Sequence, residues 1–151
     1  MTLRRWIALA VLLVGLTAMA WAAAWAPQQP EFLQNGGACE LAPCGELTDP
    51  PRWHAAWLLW APGALLAVAG AVGGARPMRP LGRKAGVAIA VASPFYLIAL
   101  LEVAVAVSLF TSAHGAATVG VAGAAVPFAY YVTSHLLDLP RGRRTKVSAV
   151  R

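Results

Sequence analysis

Long apolar runs alternate along the chain with short stretches that are polar, basic or rich in proline and glycine. A helix needs about 20 apolar residues to cross a hydrocarbon core. Four runs meet that length, at residues 6–26, 52–72, 86–112 and 116–137. The pattern predicts an all-α integral membrane protein: a single four-transmembrane-helix bundle. The third run, GVAIAVASPFYLIALLEVAVAVSLFTS from Gly86 to Ser112, holds one acidic residue, Glu102, at a depth inside the membrane.

The breaks between runs carry their own signals. Residues 27–51 are polar and rich in proline and glycine, and they predict one long extracytoplasmic loop. Asp49 followed by Pro50 and Pro51 predicts the start of the second helix, because an acidic N-cap accepts free amide hydrogens and proline fits the first turn. Gly73 to Lys84 is a basic turn, and Thr111 to Gly115 predicts a tight connection. Pro62, Pro94 and Pro127 fall inside runs and predict bends that neighbouring helices accommodate. Residues 138–151 form a basic tail with no apolar pattern, expected to be unstructured or to lie on anionic headgroups.

Composition agrees with several spans: 59% of residues are hydrophobic and only 12% charged, which excludes a large soluble domain. The net charge of +6 does not point to nucleic acid, because the basic residues cluster just outside the apolar runs. Instead they set orientation. Arg4 and Arg5, the Arg76 to Lys84 turn and the tail are basic, while the alternating loops carry only Arg52. Both termini are therefore expected to be cytoplasmic in a multi-pass plasma (cell inner) membrane protein. The alanine- and arginine-rich composition suggests a bacterial source. Arg4 and Arg5 before an apolar run, with Ala24 and Ala26 as an A-x-A pair, also fit a signal peptide, but the run exceeds the usual signal length and favours a retained anchor.

Tryptophans mark the expected outer interface. Trp21 and Trp25 end the first run, and Trp53, Trp57 and Trp60 share one face of the second, so all five are expected to act as interfacial anchors.

Four features can carry chemistry. Glu102 has no intramembrane lysine or arginine to pair with in this chain. Its functional readings are a proton relay, a cation site or a counter-ion; its structural reading is a buried carboxyl bonded to Thr17, Thr118 or Tyr130 of another helix. Cys39 and Cys44, both in the outer loop, predict a local disulfide rather than a redox pair, since the spacing is not C-x-x-C. His54 and His114 end spans on the outer side, where paired imidazoles can ligate a haem or a metal. Gly70 with Gly74, and Ala116 with Gly120 and Ala124, have the spacing of small-residue stripes that let helices approach. His135 reads as a surface residue beside Asp138.

Four spans, a long first outer loop with Cys39 and Cys44 and a short second outer loop resemble the layout of claudin-type tetraspan proteins. Their loop signature of tryptophan, Gly-Leu-Trp and two spaced cysteines is absent, so no residue role is transferred. A four-span chain with one membrane glutamate is also similar to small multidrug transporters, which place the acid in the first helix and keep their loops short.

The leading expectation is a non-enzymatic accessory or interaction subunit whose partners are the bilayer and another membrane protein or a homo-oligomer. The second is an oligomeric proton- or cation-coupled transporter using Glu102, and the third a redox subunit using His54 and His114. Orientation is directly testable in a background with Cys39 and Cys44 replaced by serine. Single cysteines placed in the Arg76 to Lys84 turn or the tail should react with an impermeant maleimide only after permeabilisation, and reaction in intact cells would reverse the topology.

Overall fold

The computed structural model describes residues 2–28, 48–77 and 83–148; for 83, 109 and 138–148 it describes the backbone. Every regular element among the described residues is helical: α1 Leu3–Trp25, α2 Pro50–Gly74, α3 Arg83–Phe110, α4 Ala113–Gly120, a π-helical turn Val121–Ala125 and α5 Val126–Ser148. The last three are continuous and make the fourth long helix. Four segments are long and apolar enough to cross a membrane, Leu3–Trp25, Pro50–Gly74, Lys84–Ser108 and Ala113–Leu137, which suggests a multi-pass membrane protein.

The helix bounds differ from the sequence reading at two places. Only Thr111 and Ser112 separate α3 from α4, so His114 and Gly115 belong to the first turn of a helix rather than to a connection. The basic tail is helical as far as Ser148, through Pro140 and Gly142 as well as its arginines and lysine. Cys39 and Cys44 lie outside the described residues.

α1 and α2 form the closest pair, and small residues are the reason. A Cβ on Gly15 would fall on the backbone nitrogen of Ala67, and one on Gly70 would lie 2.5 Å from the backbone nitrogen of Leu12. Gly63 meets the Gly15 carbonyl in the same way, at 3.0 Å. In lipid such contact gains dispersion energy rather than hydrophobic energy, so backbone proximity is what counts. The predicted stripe of Gly70 and Gly74 is half realised: Gly74 has only an ordinary approach to Ala8. Gly120, in the other predicted stripe, faces open space.

The ends of this pair are tied together. Asp49 caps α2, accepting the Arg52 amide at 3.3 Å, and its φ of 49° lies in the left-handed region that aspartate tolerates. The Arg52 side chain donates through Nε to the Trp25 carbonyl at 2.7 Å, with its guanidinium 5.4 Å from the Trp25 ring centroid. A cation thus satisfies a carbonyl left free at the C-terminal end of α1.

The prolines explain how the remaining helices join. A proline has no N–H for the carbonyl four residues earlier. Pro94 leaves the Ala90 carbonyl free, and the Ser93 hydroxyl donates to it at 3.0 Å. Pro127 leaves the Gly123 carbonyl free, inside the π turn whose widened register is closed by Val126 N–H to the Val121 carbonyl. The Tyr96 hydroxyl of α3 donates to that Gly123 oxygen at 2.5 Å. A break in one helix is therefore filled by its neighbour.

α3 is the peripheral helix. Its extended contact among the described residues is with α4. Among its described side chains, only Leu100, Ala104, Val107 and Ser108 are partly or fully covered, whereas residues 84–99 are exposed throughout.

The proline account predicts a specific non-additivity. Tyr96→Phe should destabilise the protein by about 1 kcal/mol by leaving the Gly123 carbonyl unsatisfied. In a Pro127→Ala background, whose new N–H serves Gly123, the same change should cost a few tenths. Equal costs in both backgrounds, measured by unfolding in mixed detergent micelles, would refute it.

Candidate functional site

Two places concentrate polar chemistry in an otherwise apolar molecule. The first is the end of the bundle holding Trp25, Arg52 and His114. His114 is fully buried, and its ring packs against Trp57 at a centroid distance of 4.0 Å and against the edge of Trp53 at 4.8 Å. Trp57 in turn meets Trp60 at 5.3 Å. The Trp60 indole N–H donates to Thr118 Oγ1 at 2.9 Å, and that hydroxyl donates to the His114 carbonyl at 2.7 Å. Three tryptophans of α2 thus form a wall that receives the start of the fourth helix.

Ser112 sets the imidazole. It is fully buried, and its hydroxyl donates to the Ala23 carbonyl at 3.3 Å, near the C-terminal end of α1. With its proton so used, Ser112 Oγ accepts from His114 Nδ1 at 3.2 Å. The network assigns the neutral ring's proton to Nδ1 and leaves Nε2 as a lone pair. Nε2 is buried without a hydrogen-bond partner in the structure.

His54 is not part of this box. It is exposed, and its Nδ1 donates to the Pro50 carbonyl of its own first turn at 2.7 Å. No ring contact joins it to His114 among the described residues. Among the described residues, no group of three His, Cys, Asp or Glu side chains is placed to hold a metal ion. The third histidine, His135, is exposed and stacked on Tyr131 at 6.3 Å.

The same geometry gives the α2 tryptophans, expected as anchors, a packing role. Trp53 is 6% exposed, and Trp57 and Trp60 are half-buried, because the face they share turns toward the fourth helix. Trp21 and Trp25 remain exposed at the end of α1.

The second place is Glu102. Its structural reading, a carboxyl covered by another helix of this chain, is not what the fold presents: Glu102 is exposed on α3. The covered residues Leu100, Ala104, Val107 and Ser108 define the inward side, and at 100° per residue Glu102 lies on nearly the opposite side of the helix. The partners expected for it are engaged elsewhere or apart from it. Thr17 donates to the Leu13 carbonyl, Thr118 belongs to the tryptophan wall, and Tyr130 makes no bond to Glu102.

Between α2, α3 and the π turn lies an open cleft of about 750 Å³, lined by Trp60, Tyr96, Leu97, the π turn and Phe128. Its walls are apolar, the Tyr96 hydroxyl being taken by Gly123, and Glu102 does not reach it.

No protein-family model, curated protein or solved structure matches the chain. The residues that sequence reasoning missed are Ser112, Arg52 and Tyr96. Tyr96 had a readable signal, since Pro127 announces an unbonded carbonyl at Gly123.

Ser112→Ala should destabilise the protein by about 1–3 kcal/mol, because two buried groups, the Ala23 carbonyl and His114 Nδ1–H, lose their partner. Thr17→Ala, which removes an exposed hydroxyl bonded within its own helix, should leave the unfolding midpoint unchanged. A silent Ser112→Ala would show that the box contributes nothing to stability.

Proposed function

We propose that this protein is a non-enzymatic accessory or interaction subunit of a membrane complex, docking through the outward side of α3. The observation that carries the reading is the asymmetry of that helix. It touches the rest of the chain along one edge only, and its single membrane-depth carboxyl faces away from the bundle. A charge at mid-bilayer costs on the order of 2.5–3.5 kcal/mol on insertion scales, so such residues rarely face lipid. The positive-inside pattern orients the chain with its termini and the Arg76 to Lys84 turn in the cytoplasm and residues 27–51 outside.

The other readings have less support. A transport path past Glu102 would run between protein chains, not through one copy, because the acid lies outside the bundle. The redox reading needs both histidines free to ligate, whereas His114 is enclosed by tryptophans and the Nδ1 of His54 is bonded within its own first turn.

A photoreactive benzoylphenylalanine at Ile98 or Val105, on the same side as Glu102, tests the reading in native membranes. Crosslinking should give one discrete protein adduct, absent when the probe sits at Leu58 or Leu65 on the exposed side of α2. Lipid adducts alone from both helices would sink the proposal.

A further inference from the structure

The outward side of α3 carries more than a lone acid. Val91, Phe95, Ile98, Glu102 and Val105 recur at alternating intervals of four and three residues, and all five are exposed. That 3.5-residue spacing puts them on one seam, the pattern by which membrane helices pack at shallow left-handed angles. Glu102 holds a core position of the seam. A polar residue at one such position fixes register and partner at some cost in stability. The seam therefore calls for a helix, and the acid restricts which helix.

Charge decides between occupants. Every lysine and arginine of this chain lies outside the apolar spans or in the first turn of one, as Arg52 does. His114 is enclosed by tryptophans, and His54 and His135 sit near the ends of apolar spans. A second copy thus has no cation to offer at the depth of Glu102, which lies about 12 Å along α3 from Phe110. A different protein can supply one. Membrane-depth carboxylates pair with cationic side chains when they are not exposed to water.

Resting on the reading of this chain as an interaction subunit, we propose that the Val91 to Val105 seam docks a transmembrane helix of another protein carrying a lysine or arginine opposite Glu102. The apolar seam residues supply packing, and the ion pair supplies selectivity and register. Paired in this way, the carboxylate no longer faces hydrocarbon.

The test uses the full chain in phosphatidylcholine vesicles and two synthetic Leu/Ala transmembrane helices, identical except for lysine or leucine about 12 Å from one end. Energy transfer between labelled chain and helix should report association about tenfold tighter for the lysine helix, the scale of a polar contact between membrane helices. Glu102→Gln should remove that preference, and Glu102→Lys should transfer it to a helix carrying glutamate at the same place. Equal association of both helices with the unaltered chain would overturn the proposal, as would a lysine preference that survives Glu102→Gln. Self-association of the chain that Glu102→Gln abolishes would assign the seam to a second copy and also overturn it. If the lysine preference is absent while probes at Ile98 and Val105 still capture a native protein, the subunit reading stands and the cationic partner falls. If both fail, both fall.

Discussion

The contact between α1 and α2 at Gly15, Gly63, Ala67 and Gly70 is the constraint from which the rest of the arrangement follows. Two backbones approach so closely there that no methyl group fits on Gly15 or Gly70. That fixes which side of α2 faces α1. The tryptophan face of α2 lies about 80° round the helix from this small-residue face, so it must look toward the next available neighbour. That neighbour is the fourth helix. Its first turn enters with Ser112 and His114, the one bonding to an end carbonyl of α1 and the other lying against Trp53 and Trp57. Arg52 closes the same end by occupying the Trp25 carbonyl. The polar groups at this end serve backbone groups that helix termini leave free.

A different rule joins the peripheral helix. Inside a bilayer, a helix that breaks its own hydrogen-bond ladder must find a substitute donor. Pro94 finds one in its own helix, from Ser93, whereas Pro127 finds one across a helix boundary, from Tyr96. The first repair is private to α3, but the second ties α3 to the π turn. Gly123 suits that place because Leu100 of α3 closes over it, and a side chain there would have to displace the end of that leucine. The apolar cleft lies beside this turn, with Trp60, Tyr96 and Pro127 among its walls.

Much of the fold was legible because span length and hydropathy are properties of one helix at a time. The four spans and the Asp49 cap before Pro50 and Pro51 are of this kind. What could not be read was which side of each helix meets which neighbour. The spacing of Trp53, Trp57 and Trp60 was correct, but an interfacial anchor and a wall around a buried imidazole have the same spacing. Only the Gly63 to Gly70 face, set beside it, separates them. For Glu102 the same ignorance of facing led to an expected burial against another helix, and the helix turns its acid the other way. Gly120 matched the small-residue pattern as well as Gly63, yet it faces open space. A stripe states that approach is permitted, and the neighbour decides whether it occurs.

Glu102 raises the question of why a helix so apolar would retain a carboxyl. The Lys84–Ser108 span is long and apolar enough to cross a membrane with the acid in it, although such an acid costs about 2.5–3.5 kcal/mol on insertion scales. The acid is thus tolerated, but it does not strengthen the isolated chain. Polar contacts between membrane helices return about 0.6 to 1.7 kcal/mol, less than the insertion cost, so a partner offsets the acid only in part. Leucine at the same position would bind a generic apolar helix without that cost. A group that lowers net stability yet occupies a core position of an uncovered seam is explained by discrimination: it makes wrong helices unfavourable more than it makes the right one favourable. On the proposal that a cationic helix docks there, the apolar residues of the seam would hold the partner and Glu102 would choose it.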